Sequence, residues 1–229
     1  MNTWWPWVRL AAAALGAAAI IRQLAIAVGN ALRADTPWAA HVPTVVANFF
    51  SYFTILSNLS AVVALVAGAV WMLRTRRSAS PEPIWLATLL ACASTYMVVT
   101  GIVYNLLLRS IPIAGISDVW TNETLHVVVP LVMLADVLLA PRRRRLPWST
   151  LLVVAAFPIV WAVYTLVRAN LIIGPAHGNP WWYPYPFLDP HIQGGYGPVV
   201  GYIIGIAAAI IAVAALIVLA ARKRGARRL

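Results

Sequence analysis

The hydrophobic residues of this chain fall into long blocks separated by short polar breaks. A helix needs about 20 mostly apolar residues to cross a bilayer. Six blocks reach that length: 8–28, 45–73, 84–108, 119–140, 148–172 and 198–221. The pattern predicts an all-α, polytopic membrane protein, with residues 1–229 forming a single six-helix domain. The first block follows a short N-terminus and is rich in alanine, as a signal peptide would be. Its start carries a single basic residue, Arg9, however, and Arg22 and Gln23 interrupt it, so it reads as a spanning helix. The last three blocks do not visibly repeat the first three, which weighs against an inverted-repeat transporter.

Polar residues inside these blocks carry the functional signal. Within residues 49–60, Ser51, Thr54 and Asn58 stand at i, i+3 and i+7, with Ser57 beside them, so on one continuous helix they share a face. Lipid offers no hydrogen-bond partner, so such a stripe must face protein or a water-filled cavity.

Composition and charge agree with a membrane protein. Of 229 residues, 62% are hydrophobic and 10% charged, against roughly a quarter charged in soluble domains. Lys and Arg number 17 against 6 Asp and Glu, but the arginines cluster at block ends, a mark of membrane topology and not of nucleic-acid binding. Arg74, Arg76 and Arg77, then Arg142 to Arg145, then Arg222 to Arg228 follow the second, fourth and sixth blocks. That places those ends and both termini in the cytoplasm. The Ala-, Arg- and Val-rich make-up points to a bacterial source, and so to the cytoplasmic membrane. The loop over 174–197 then faces outward as a lid at the membrane surface. Its prolines forbid a regular helix, and Trp181, Trp182, Tyr183 and Tyr185 suit the interface. The single Cys92 excludes an internal disulfide and a thiolate metal cluster.

On unbroken helices Thr54 would lie about nine residues, or ~14 Å, from the outer face, and His126 about seven residues, or ~10 Å. Arg22, Tyr104, Asn105, Asn122, Glu123 and Arg168 fall in the same half, while the inner halves are mostly Ala, Val, Leu and Ile. A polar pocket toward the outer leaflet is the expectation. His126 stands out as an ionisable residue inside a spanning segment. Asn122 and Glu123 lie within a turn of it, and Pro130 removes the amide that would bond its carbonyl. Gly-x-Ser-x-Gly and His-Glu-x-x-His motifs and a Gly-rich phosphate loop are absent, and His126, His191 and Asp189 lack metal-ligand spacing. No metal or cofactor is implied.

Three patches resemble the androgen-induced and androgen-dependent TFPI-regulating family of six-helix membrane proteins. They are Phe-Thr-Ile-Leu-Ser-Asn at 53–58, Asn122 with His126 four later, and Tyr-Pro-Tyr-Pro-Phe-Leu-Asp-Pro at 183–190. Animal members are hydrolases of fatty acid esters of hydroxy fatty acids that use an intramembrane threonine and a histidine. The resemblance implies Thr54 as nucleophile, His126 as general base and a membrane lipid ester as substrate. It departs at Glu123 and Val127, where the family pattern carries a histidine and a threonine. Asn58, Asn122 or Glu123 would orient the pair or donate to an oxyanion, and Arg22, Tyr104, Asn105, Arg168 and Asp189 would meet the substrate. The alternative is a lipid- or solute-binding protein or transporter whose pocket does no covalent chemistry, or a structural partner in a membrane complex. The sequence sets no oligomeric state.

Overall fold

The computed structural model describes residues 4–78, 80–111 and 118–226. Prolines and polar breaks set its helix ends. Helix α1 (Trp5–Ala31) and helix α2 (Val42–Phe49) each carry Pro in the first turn, where the missing N–H has no intrahelical partner to lose. Phe50, Ser51 and an extended Tyr52 then separate α2 from α3 (Phe53–Arg74). Helix α4 (Ile84–Val103) runs straight into a π-helical turn, Tyr104–Leu108. The next crossing combines α5 (Val119–Glu123), a second π turn (Thr124–Val128) and α6 (Val129–Leu139). After α7 (Thr150–Ala169) the lid contains a 3-10 turn, Pro186–Leu188, and the short α8 (Pro190–Gln193), and α9 (Tyr196–Ala226) ends the chain.

The described residues form no strand, and six helical segments are long and apolar enough to cross a membrane: Trp5–Ala31, Phe53–Arg74, Ile84–Leu108, Val119–Leu139, Thr150–Ala169 and Tyr196–Arg224. The all-α, six-helix expectation therefore holds. The second crossing does not run unbroken over 45–73. Its 22-residue α3 is about 33 Å long, enough to cross a membrane by itself, so the break falls at the end of a full-length helix and not at its middle. Thr54 is accordingly the second residue of a helix, not the tenth, and Ser51 lies in the break and not on the Thr54 face.

Small residues let the first helices approach closely. Ala12 and Ala13 of α1 pack with Ala61, Ala64 and Leu65 of α3, and with Leu90, Ala93 and Met97 of α4 and Met133 of α6. Both described termini lie at one end of the bundle. Trp5 packs on Met72 and Ala140 there, and Arg224 donates to the Val137 and Ala140 carbonyls. This is the arginine end, and the opposite one is the lid end.

The arginine end carries charge inside the bundle, and the pairing of Asp136 with the nearby Arg142–Arg145 run that their sequence proximity predicts is present. Asp136 accepts from Arg9 Nε and Nη2 at 2.8 and 3.0 Å, from Trp5 Nε1 at 2.7 Å and from Arg143, which also reaches Glu82. All four charged side chains are buried. Gly68 makes room for this lattice, because a Cβ there would collide with the Arg9 guanidinium.

Candidate active site

The break before α3 builds the site. A helix start leaves backbone N–H groups without intrahelical partners, and the partial positive charge of the helix dipole sits there. The free amide of Thr54 donates to the Tyr185 hydroxyl at 3.1 Å. The break is held by its own polar groups: Ser51 Oγ donates to the Ala47 carbonyl, and Trp161 Nε1 donates to the Ser51 carbonyl at 2.9 Å. Tyr164 meets Ser51 Oγ at 3.0 Å.

Opposite Thr54, the π turn carries His126. Pro130 has no N–H to give the His126 carbonyl, and the helix widens over Thr124–Val128. Gly101 of α4 fits against this widened turn; a Cβ there would stand 3.1 Å from Pro130 Cβ and 3.3 Å from the His126 carbonyl oxygen. His126 Nδ1 lies 3.0 Å from the Asn122 carbonyl, which can only accept, so Nδ1 carries the proton and Nε2 is a free base. That Nε2 stands 3.4 Å from Thr54 Oγ1. Tyr104, from the other π turn, stacks on the imidazole with ring centres 3.9 Å apart and takes a hydrogen bond from the Asn122 side chain. The imidazole is thus fixed in tautomer and in plane.

Tyr185 completes the cluster. Its hydroxyl is 3.3 Å from Thr54 Oγ1 as well as bonded to the Thr54 amide. Burial pushes the Tyr185 phenol up, against the opposing pull of the Thr54 hydroxyl and of the Thr54 and Phe53 amides, so it stays neutral. Sequence reasoning set this residue at the membrane surface; it is 8% exposed and plugs the bundle. Pro184 and Pro186 on either side were the available signal, since they stiffen the turn that inserts it.

The remaining expected residues divide. Tyr104 lines the site, and Asn58 supports it by donating to the Thr54 and Leu125 carbonyls at 2.9 and 3.1 Å. Those bonds use both N–H groups of the Asn58 amide, and Asn122, which gives one N–H to Tyr104, does not line the cavity, so neither side chain is placed as the oxyanion donor; Asn122 orients His126 through its backbone carbonyl. Glu123 turns away to Arg109, which also holds Asn105. Asn105 is exposed and donates to the Gly101 carbonyl. Arg22 pairs with Asp118 at the surface, 2.6 Å away. Arg168 donates to Asn48 Oδ1 at 2.7 Å and lies over Trp182. Asp189 caps α8 by accepting from the His191 amide, and His191 stacks on Trp181. None of Glu123, Asn105, Arg22, Arg168 or Asp189 lines the cavity beside Thr54.

That cavity holds about 210 Å³ and lies between α3, α4, α7, α9 and the lid. Thr54, Thr100, Tyr104 and Tyr185 give it one polar edge, and its other walls are almost wholly apolar, among them Val99, Pro158, Phe187, Ile206 and Ile210. Fold and site define a multi-pass α-helical membrane protein with a threonine–histidine pair, of which Thr54 lines the polar edge of an apolar cavity and His126 stands behind it, outside the cavity wall. Compared with protein-family models, with curated proteins and with solved structures, the chain matches none.

Proposed function

We propose that the protein is an intramembrane lipid-ester hydrolase with Thr54 as nucleophile and His126 as general base. The observation that carries this reading is the free His126 Nε2 at 3.4 Å from Thr54 Oγ1, with Nδ1–H anchored on a backbone carbonyl. A threonine hydroxyl is a weak nucleophile that a neutral histidine within hydrogen-bond reach can activate. As Thr54 Oγ1 bonds to the ester carbonyl carbon, its proton passes to His126 Nε2. The tetrahedral intermediate collapses with loss of the alcohol, which takes that proton. A water, deprotonated by His126, then cleaves the acyl-threonine to the free acid and restores the hydroxyl.

The negative oxygen of the intermediate would be stabilised by the Thr54 amide and the positive end of α3. Tyr185 occupies that place in the structure, so its hydroxyl has to yield to substrate. The apolar cavity suits an acyl chain, and the six-helix family that the sequence resembles has the same Thr and His pair. The substrate class rests on both. A membrane lipid or lipid ester is the proposed partner, and the outer half of the cytoplasmic membrane the proposed place.

The second reading, a lipid-binding protein without chemistry, is favoured by the same Tyr185 contact, which blocks the Thr54 amide. Covalent labelling with a fluorophosphonate probe separates the two. Wild type is expected to label, and both Thr54→Ala and His126→Ala to lose the label. A folded wild type that never labels selects the binding reading, and labelling that survives Thr54→Ala removes Thr54 as the nucleophile.

A further inference from the structure

The cavity beside Thr54 has walls of two kinds. Val99 and Leu108 of the α4 segment are 2% and 8% exposed and sealed inside the bundle. Ile159 of α7 and Ala207 and Ile211 of α9 line the same cavity yet are exposed on the outside, Ile159 at 61%. Wall residues that also lie on the outside mark a mouth between α7 and α9. Ile159 sits at the middle of α7, and Ile211 about 22 Å along α9 from Tyr196. The mouth therefore opens at mid-membrane, onto hydrocarbon.

The lid end is closed. Tyr52 packs edge-on against Trp182 and Tyr185 with ring centres 5.6 and 5.7 Å apart, and Tyr185 stacks on Phe187 at 5.1 Å. Next to the mouth, Pro158 leaves the Val154 carbonyl without its helical N–H, and Tyr96 donates to it at 2.9 Å. A rung of the α7 ladder is thus missing where the helix borders the opening.

We propose that the hydrocarbon chain of a bilayer lipid enters sideways between α7 and α9 and lies in this cavity, its polar end at Thr54. The occupant follows from what each boundary touches: hydrocarbon at the mouth, apolar walls along about 12 Å from Ile203 to Ile211, and hydrogen-bonding groups only at the Thr54 edge. Cleavage of an ester at that edge rests on the hydrolase reading; the chain site itself does not.

The test uses full-length protein in phosphatidylcholine vesicles containing a phosphatidylcholine with a photoreactive diazirine in mid-chain. After irradiation, adducts are mapped by mass spectrometry. Adducts on Val99 and Leu108 are expected in wild type and in Thr54→Ala alike, because neither position meets bulk lipid. Ala207→Trp and Ile211→Trp, each filling the mouth, are expected to cut those adducts about tenfold, the affinity of about two buried methylenes. Their melting temperatures should stay at the wild-type value, since both positions already face outward. Adducts confined to outer positions such as Leu152, Val167 and Leu216, or undiminished in both folded mouth variants, overturn the proposal. Adducts at Val99 in a folded wild type that fluorophosphonate never labels support the chain site and sink the hydrolase reading alone.

Discussion

The two ends of the bundle bury polar side chains in opposite ways. At the arginine end, full charges meet: Asp136 receives Arg9, Arg143 and Trp5, and Arg143 also reaches Glu82. Around Thr54 at the lid end the groups are neutral, and several have a choice of partner. Thr54 Oγ1 stands between His126 and Tyr185, and Tyr185 shares its hydroxyl between two Thr54 atoms. A buried ion lattice tolerates no rearrangement, because removing one member strands a charge in low dielectric. A neutral cluster at a helix break can exchange partners at the cost of about one hydrogen bond. The first arrangement fixes helices and the second leaves room for a substrate.

The largest effect expected of any single substitution lies at the arginine end. Asp136→Asn keeps the shape but leaves Arg9 and Arg143 buried without their shared carboxylate, which should cost about 3–5 kcal/mol. Thermal unfolding in detergent checks it. A melting temperature unchanged from wild type would mean that the lattice is solvated and that the contrast between the two ends fails.

Gly101→Ala tests how tightly the two π turns are fitted. Its Cβ would press on Pro130 and on the His126 carbonyl, and overpacking of this kind costs about 1–3 kcal/mol. Fluorophosphonate labelling should fall as well, because the pressed carbonyl belongs to the residue whose ring must face Thr54. Stability lost with labelling intact would show that His126 is held by Tyr104 and Asn122 alone.

Much of this was legible in the sequence, and the exceptions have physical causes. Six crossings follow from block length; the outward position of Thr54 and His126 in their blocks put both in one half of the bundle, and the family resemblance, not the pattern, implied that they pair. The break at 50–52 was hidden because Phe50 and Tyr52 keep the block apolar, and no proline or glycine marks it. Its cause is tertiary: Trp161 and Tyr164 of α7 supply the hydrogen bonds that a broken helix needs. Arg143 looked like a topological anchor, since charge runs at block ends usually are, and Arg9 carried no partner in the sequence. Only packing reveals that they close on Asp136, as a short sequence distance linked Asp136 to the Arg run but not to Arg9. Tyr185 was missed for the converse reason, because a lid rich in aromatic residues fits a membrane surface equally well.

A smaller effect, of opposite sign for stability and reactivity, is expected of Tyr185→Phe. The ring and its stacking on Phe187 remain, while the bonds to the Thr54 amide and hydroxyl are lost. Stability should fall by about 0.5–1.5 kcal/mol, the net worth of a hydrogen bond. Labelling should become faster, since the Thr54 amide is then free for the probe's oxygen. Slower labelling would make the phenol a donor to the transition state and not an occupant of its place.

The smallest effect closes the comparison, because it uses the same chemistry as the largest. Arg22 and Asp118 form an Arg–Asp pair at 2.6 Å, close to the 2.8 Å between Arg9 and Asp136. Their side chains are 53% and 33% exposed, against 1% for both Arg9 and Asp136. The Arg22 hydrogen bond holds the Asp118 carboxyl below its ordinary value. A depressed carboxyl contributes stability that is present above the unfolded value, about 3.9, and is lost as pH falls through the folded one. At pH 7 the contribution is therefore fully present, yet solvent and about 0.15 M salt screen it. Arg22→Gln should melt with wild type at pH 7 and react with the fluorophosphonate at the wild-type rate. A melting loss comparable to that of Asp136→Asn would show that burial is not what separates the two pairs. A change in labelling alone would return Arg22 to the substrate, despite its distance in the fold from the cavity wall.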